Sequence, residues 1–270
     1  MHLRVIIILF YFIFTQVMMI RGLFSDWKQP IFAGFDVSMK IELLLEAIGK
    51  SYEAGFEVVA TVSDCGGGNT GIWSKPNENE TFLRHPSTNR KIFLFADAPH
   101  LLKLARNWLI DAGFLLADGT LIKHDPLKSL VIGRKTEMSD TFFIRQELLT
   151  CERNQRQKVD WAAKIYSRKC AIALQRRVRT PDATQLSHFI LIMNSWWDIF
   201  NSRHPNESQT LKRPYGLHLS EQDEALRATR ELMRSCVPTN KRSPQVIFHT
   251  VYAFFFLIHS LLFHRCSRRR

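Results

Sequence analysis

Two short apolar runs place the strongest limit on how this chain can fold. Residues 56–62 (FEVVATV) and 91–95 (KIFLF) are too short for a typical helix and are rich in β-branched and aromatic residues, so each predicts a buried strand. The segments beside them differ in type, because residues 38–54 and 99–112 carry apolar side chains at helical spacing. Strands that alternate with helices predict an α/β region in this part of the chain.

Local signals predict where these two helices begin and end. Ser38 is a suitable N-cap for the first helix, and Gly55 suits a left-handed exit from it. Pro99 suits the first turn of the second helix, which should end before Gly113. Residues 73–90 are polar, with two prolines and three asparagines, and predict a loop between the two strands.

From about residue 125 onward the pattern is helical. Residues 139–151 and 159–178 are amphipathic, residues 183–200 carry apolar side chains at helical spacing, and residues 220–236 form a charged segment with an apolar stripe. The predicted fold class is therefore an α/β region followed by an all-α region.

Both ends of the chain are apolar and differ from the interior. Residues 5–20 (VIIILFYFIFTQVMMI) and 246–263 (VIFHTVYAFFFLIHSLLF) are somewhat shorter than the roughly 20 apolar residues of a membrane helix. Each predicts a membrane helix as one alternative, and the basic residues after position 263 suit a cytoplasmic flank. The β-branched and aromatic residues of the first segment equally suit a buried strand.

Charge and composition narrow the classes of partner. The chain has 37 Lys and Arg against 25 Asp and Glu, a formal net charge of +12, which favours nucleic acid or an anionic membrane surface as partner. A hydrophobic content of 46% excludes a mainly disordered chain. The five cysteines form no CxxC pair and leave an odd thiol in any disulfide scheme, so reduced thiols are expected.

The first candidate site is the glycine-rich segment after residue 62, which reads SDCGGGNTG from residue 63. Its glycines at 66, 68 and 71 fit the dinucleotide motif GxGxxG, but the residues that follow (IWSKP) begin no helix that could hold a pyrophosphate. Asp64 remains as an acid at the carboxyl end of a predicted strand, a usual place for ligand and metal groups in α/β folds. The alternative role of Asp64 is to cap a turn.

The second candidate site is the segment FADAPHLLKLARN at residues 95–107. Asp97 ends a predicted strand, and His100, Lys103 and Arg106 share one polar face of the helix that follows. Lys103 on this face can contact a phosphate as a point charge. The alternative is a helix cap with ion pairs on the surface.

The third candidate site is NSWWDIFNS at residues 194–202. The ring of Trp197 can stack on a purine while the neighbouring carboxylate of Asp198 accepts a hydrogen bond from an exocyclic amine. The alternative is that the tryptophans belong to the core, as apolar residues at helical spacing usually do.

Four segments in their order and spacing resemble the P-element-type (THAP-family) DNA transposases. They read VMMIRGLFSDWKQPIF, AGFEVVATVSDCGGGN, FADAPHLLKLARNWLIDAGFLL and FILIMNSWWDIFNSR, and the resemblance covers about residues 17–236. The pattern DxPHLxKxxRN is specific to the family. The resemblance implies an RNase H-like domain interrupted by a helical GTP-binding insertion. It also implies transposition of DNA by Mg²⁺-dependent cleavage and strand transfer, transposon ends as the DNA partner, a homo-oligomer and a nuclear location.

The resemblance also implies roles for individual residues. Asp64 matches the second of three catalytic carboxylates and would be a Mg²⁺ ligand, since hard oxygen ligands suit this ion. Lys103 matches a contact to the GTP phosphates, and Trp197 and Asp198 match an aromatic–acid pair that holds the guanine. Four further residues are motif positions for which no role is assigned: Asp97, His100, Arg106 and Asn107.

The sequence departs from the family where the other two carboxylates are expected. Residues 1–16, which would carry the first, contain no acid, and Asp36 falls in a loop where it is a poor substitute. Residues 237–270, where the third would follow, resemble nothing in the family, and no zinc-binding THAP finger is found. We therefore expect a transposase-derived chain truncated at both ends and without strand-cleavage activity.

Four segments make up the expected domain organisation. They are a non-family apolar segment (1–16), a partial RNase H-like domain (17–118), a helical GTP-binding insertion domain (119–237) and a non-family apolar and basic tail (238–270). Residues 5–14 are expected to replace the missing first strand. The alternative functions are a regulatory protein that binds guanine nucleotide or DNA, and a membrane-anchored protein using residues 246–263.

Overall fold

The computed structural model describes residues 2–12, 15–64, 69, 72, 82–132, 144–150, 152–202 and 204–237. These residues divide into two units, the first ending at Asp97 and the second beginning at Ala98. The first unit is built on a sheet and the second is mainly helical. This order confirms the predicted fold class of an α/β region followed by a helical region.

The described part of the first unit contains a six-stranded sheet and a 13-residue helix. The strands are β1 Leu3–Phe12, β2 Thr15–Gly22, β3 Lys28–Phe35, β4 Phe56–Ser63, β5 Phe82–Arg84 and β6 Lys91–Ala96, and the helix is α1 Ile41–Glu53. The strand order is β3-β2-β1-β4-β6-β5. β1 and β6 both run parallel to β4, and the remaining pairs are antiparallel.

Strand β1 lies in the middle of this sheet, which confirms that the first apolar segment acts as a strand. It pairs with β2 on one side and with β4 on the other, so that Ile7 lies between Ile20 and Thr61. The alternative of a membrane helix near residues 5–20 is wrong, since residues 3–12 and 15–22 are extended. The β-branched residues suit a pleated surface. The two neighbouring strands provide hydrogen-bond partners for the backbone of β1.

The main core of the first unit lies on one face of the sheet. Alternate residues of β1 and β2 point into it, among them Val5, Ile7 and Met18, each fully buried. Helix α1 covers this face with Leu44 and Ile48, also fully buried.

The predicted ends of α1 are partly correct. The helix begins at Ile41 after Lys40, which makes no side-chain cap, so the prediction that Ser38 caps it is wrong. At the other end Gly55 has φ of +90°, as expected for a left-handed exit. The sequence did not predict β5, which lies inside the expected loop of residues 73–90 and pairs with β6.

Seven helices are described in the second unit. They are α2 Ala98–Asp111, α3 Asp125–Ile132, α4 Glu147–Thr150, α5 Val159–Ile165, α6 Arg168–Arg177, α7 Pro181–Phe200 and α8 Leu219–Ser235. Two short 3₁₀ helices occupy Arg153–Gln157 and Thr210–Lys212. Three short strands, β7 Phe114–Leu116, β8 Leu121–Ile122 and β9 Cys236–Val237, form a small antiparallel sheet in the order β8-β7-β9.

The second unit corrects two helix predictions. Residues 159–178 form two helices rather than one, because Ser167 has an extended backbone and its side chain accepts a hydrogen bond from the Cys170 amide, which starts a new helix. Of the helix predicted for residues 139–151, only Glu147–Thr150 is helical within the described residues. Residues 139–143 and 151 lie outside them.

The membrane alternatives receive no support from the helices of the described ranges. None of these helices combines the length and the apolar character that crossing a bilayer requires. The predicted tail helix at residues 246–263 lies outside the described residues.

Candidate functional site

Asp64 lies at the carboxyl edge of the first unit's sheet, immediately after β4. The parallel register pairs Ser63 with Ala96, and the Asp97 amide donates to the Ser63 carbonyl at 2.8 Å. Asp64 and Asp97 therefore follow neighbouring parallel strands at the same edge. The Asp64 Oδ1 atom accepts a hydrogen bond from Asn69 Nδ2 at 2.8 Å. The sequence placed both acids at strand ends, and the structure shows them there.

The neighbouring strand β1 offers no acid beside Asp64. Leu9 pairs with Ser63, the residue before Asp64, in the last register pair of β1 and β4. None of the ten residues of β1 (LRVIIILFYF) is acidic. Asp36 follows β3, which lies three strand positions from β4, roughly 14 Å at the usual spacing of strands.

A pair of Mg²⁺ ions does not fit the described residues. Two such ions require several oxygen ligands from different parts of a chain. Within the described ranges, no three or more His, Cys, Asp or Glu side chains lie close enough together to hold a metal ion. Asp64 is the carboxylate that the family motif identifies, and β1 supplies no second one.

Helix α2 of the second unit carries the polar face that the sequence predicted, and it contacts the 3₁₀ helix Arg153–Gln157. Lys103 Nζ donates to Gln157 Oε1 at 3.0 Å. At the end of α2, Asp111 accepts two hydrogen bonds from the Arg156 guanidinium, one of them at 2.8 Å. Lys103 is therefore held against a neutral amide oxygen, an acceptor that a phosphate oxygen can replace.

Arg106 lies between these two contacts and is fully buried. Its Nη2 atom donates to the carbonyl oxygens of Gln155 at 3.2 Å and Arg156 at 2.7 Å. These carbonyls lie in the last turn of the 3₁₀ helix, where backbone acceptors need partners from outside the helix. Arg106, a motif position without an assigned role, thus fastens the 3₁₀ helix to α2.

The other open motif positions lie near the start and middle of α2. His100 and Asn107 are both half-buried. The Asn107 Oδ1 atom is buried and accepts no hydrogen bond from the described residues. These positions gain no assigned role from the structure.

Asp198 on α7 is a buried acid with two polar partners. It is 8% exposed. Asn194, one turn earlier on the same helix, donates from Nδ2 to Asp198 Oδ2 at 2.8 Å, and Lys212 Nζ lies 3.8 Å from Asp198 Oδ1. Burial raises the pKa of the Asp198 carboxyl, whereas the charge of Lys212 and the hydrogen bond from Asn194 act to lower that pKa.

The two tryptophans before Asp198 differ in their surroundings. Trp196 is 2% exposed, and its ring lies 4.9 Å from that of Phe200, so Trp196 is a core residue. Trp197 is half-buried, with its ring centre 6.3 Å from that of Trp196. Part of the Trp197 side chain therefore stays accessible, one residue before the acid in the chain.

The carboxylate of Asp198 retains the acceptor capacity that a guanine needs. An ionised carboxylate offers about four lone-pair sites, and Asn194 and Lys212 engage one on each oxygen. The two remaining sites match the two donors on one edge of guanine, N1–H and the exocyclic amine. By this count of acceptors, the Asp198 carboxylate is compatible with a guanine base.

Sequence reasoning missed three residues of this unit. Asn194 carried a usable signal, because it lies four residues before Asp198 on the same helical face. Gln157 and Lys212 carried none, because both come from short 3₁₀ helices distant in sequence from the side chains they contact.

Two family models match the chain. Residues 15–76 match the TNP-like RNase H N-terminal domain. Residues 99–214 match the TNP-like GTP-binding insertion domain.

Two relatives and one solved structure are similar to this chain, and all of them carry the name of a transposase. The transposable element P transposase of Drosophila melanogaster is 33% identical over 230 residues, and the match covers 82% of this chain. The DNA transposase THAP9 of Homo sapiens is 27% identical over 206 residues, covering 70% of this chain. In a solved structure, the Drosophila P element transposase strand transfer complex, the matching chain has a TM-score of 0.88 and 27% identity, covering 98% of this chain.

The match covers only part of each relative. It spans 31% of the Drosophila transposase, 23% of the human one and 66% of the chain in the solved complex. Both family domains, the order of sheet and helices, and the similar structure nevertheless agree with the resemblance drawn from the motifs. The chain belongs to the P-element-type transposase family.

Proposed function

We propose that this chain is a guanine-nucleotide-binding and DNA-binding module of the P-element transposase type that does not itself cut or join DNA. One observation supports the proposed binding of guanine nucleotide. Asp198 is a buried carboxylate with two polar partners among the described residues, and it directly follows the half-buried Trp197 in the chain. The pairing of β4 with β1, a strand without acids, supports the proposed lack of DNA cleavage. Family membership and the net charge of +12 support DNA as partner and the nucleus as compartment.

The second unit supplies the groups for the nucleotide. Asp198 would accept hydrogen bonds from the guanine edge, and the accessible part of Trp197 would stack on the base. Lys103 would exchange its contact with Gln157 for a phosphate oxygen. The phosphates of bound GTP would be anionic hydrogen-bond acceptors for Lys103. The protein would bind and orient the nucleotide.

Replacing Asp198 with alanine should weaken GTP binding by more than about tenfold, because two hydrogen bonds to a charged acceptor are lost. Isothermal titration calorimetry of the full chain with GTP, and with ATP for comparison, measures this change. Asp182→Ala is the matched control, because Asp182 is an exposed acid on the same helix. Equal affinity in the Asp198→Ala variant and the unchanged chain would contradict the assignment.

The ligand set at the sheet edge supports the proposed absence of DNA cleavage and joining. Two-metal catalysis of phosphoryl transfer needs both ions held and bridged by several carboxylates. The register of β1 with β4 ends at Leu9 and Ser63, and none of the residues of β1 is an acid that could complement Asp64. This supports a chain that keeps the RNase H-like sheet but lacks its metal chemistry.

A nicking assay on supercoiled plasmid with Mg²⁺ or Mn²⁺ tests this part. We expect the unchanged chain to nick DNA no faster than its Asp64→Ala variant, because the described residues bring no group of three possible metal ligands together and two ions need several. Nicking by the unchanged chain that Asp64→Ala abolishes would show that the chemistry is retained. A gel-shift titration at two salt concentrations, run in parallel, measures DNA binding independently of cleavage.

A further inference from the structure

Asp198, the proposed acceptor for guanine, is itself contacted by two other polar side chains. Its two carboxylate oxygens have different partners from different parts of the chain: Oδ2 accepts from Asn194 and Oδ1 lies 3.8 Å from Lys212 Nζ. We propose that Lys212 and Asn194 are positioning residues for guanine, which keep Asp198 ionised and fix the plane of its carboxylate. This inference rests on the proposed binding of guanine nucleotide.

Asn194 is itself oriented by a third group. Its Oδ1 atom accepts a hydrogen bond from the backbone amide of Arg168 at 3.0 Å. That amide lies in the first turn of α6, where backbone donors have no partner within the helix. With its oxygen held by this donor, the amide of Asn194 must turn its NH₂ group towards Asp198.

Lys212 is placed by contacts of its own turn. The Lys212 amide donates to the Gln209 carbonyl at 3.0 Å. Two residues earlier, the Thr210 hydroxyl donates to the carboxylate of Glu221 in the first turn of α8. The 3₁₀ helix is thus anchored to α8 while its lysine reaches Asp198 on α7.

A positive charge at this place has a specific consequence for base recognition. Burial of a carboxyl that is 8% exposed shifts its equilibrium towards the protonated form, and a nearby cation shifts it back towards the carboxylate. A protonated acid carries a proton on one oxygen and cannot accept two N–H donors in the same plane. Burial raises the pKa of Asp198 and Lys212 opposes this rise, so the lysine preserves the acceptor form that guanine requires.

The test separates the charge of Lys212 from its packing. Lys212→Met keeps an unbranched side chain of similar length without the charge, and Lys212→Arg keeps the charge. We expect Lys212→Met to weaken GTP binding about tenfold, because hydrogen bonds to a charged acceptor are markedly stronger than those to a neutral one. Lys212→Arg should restore most of the affinity.

Base selectivity gives a readout that a purely structural role would not change. ITP lacks the exocyclic amine of GTP, so the ratio of ITP to GTP dissociation constants measures how well the carboxylate engages both donors. This ratio should fall in Lys212→Met and in Asn194→Ala, while the affinity for inorganic triphosphate stays unchanged. The control is Lys164→Met, which removes a surface lysine that lies 3.6 Å from Asp160.

Each outcome decides the inference. An unchanged GTP affinity and ITP-to-GTP ratio in Lys212→Met overturns it while leaving the proposed function in place. A uniform loss for GTP, ITP and triphosphate, not restored by Lys212→Arg, shows a structural role and also overturns it. Absence of GTP binding by the unchanged chain overturns the proposed function, and the inference with it. Circular dichroism and the unfolding midpoint confirm that each variant is folded.

Discussion

Replacement of Arg106 by alanine is expected to lower the free energy of unfolding of the second unit by about 3–5 kcal/mol. Arg106 is fully buried and donates to the carbonyls of Gln155 and Arg156. Its removal leaves the Arg156 carbonyl without that donor, at a cost of about 1–3 kcal/mol, whereas the Gln155 carbonyl keeps the Lys158 amide as a donor. It also opens a cavity the size of a long side chain. Urea unfolding followed by circular dichroism measures the loss.

Two further variants make this test specific. Arg106→Lys keeps the charge but has a single ammonium in place of the planar fork, so it should recover only part of the stability. Asp111→Ala removes the neighbouring ion pair with Arg156, in which the two side chains are 49% and 34% exposed. Exposed pairs contribute about 0–1 kcal/mol, so this control should stay close to the unchanged chain. An Arg106→Ala variant as stable as the control would show that Arg106 does not fasten the 3₁₀ helix.

Replacement of Ile7 by aspartate is expected to abolish cooperative folding of the first unit, or to lower its free energy of unfolding by about 4–5 kcal/mol or more. Ile7 is fully buried in the central strand β1, between β2 and β4. An acid there must either be buried as a charge or displace the strand. Equilibrium unfolding monitored by tryptophan fluorescence and limited proteolysis report the change.

The matched control is Leu3→Asp on the same strand, at a position 50% exposed. A substitution there should change the free energy of unfolding by less than about 1 kcal/mol. If Ile7→Asp behaves like this control, residues 3–12 are not part of the sheet. In that case β1 would no longer be the strand beside β4, and its lack of acids would say nothing about the surroundings of Asp64.

Local signals in the sequence predicted much of the secondary structure. The two short apolar runs are β4 and β6, and the segment after Asp97 is helix α2. These elements were predictable because periodicity, β-branched residues and the terminal glycines act within a few residues of each other. The break at Ser167 had a local signal too, since a serine that caps its own following turn starts a new helix.

Other elements depend on contacts that no local pattern contains. β5 is three residues long and exists as a strand because β6 lies beside it. β9 comes from the far end of the described chain and pairs with β7. The first apolar segment suited a strand or a membrane helix equally well, and pairing with both β2 and β4 decided between them.

The candidate sites show the same division between local and long-range information. The sequence by itself determined the residue types that can act: Asp64 and Asp97 at strand ends, the polar face of α2, and the pair of Trp197 and Asp198. Only the tertiary structure decided which groups surround them. It placed β1, which has no acid, beside β4, the 3₁₀ carbonyls on Arg106, and Lys212 next to Asp198. The physical reason is that helix and strand formation depends on interactions between near neighbours, whereas burial and pairing of charges arise when distant segments pack together.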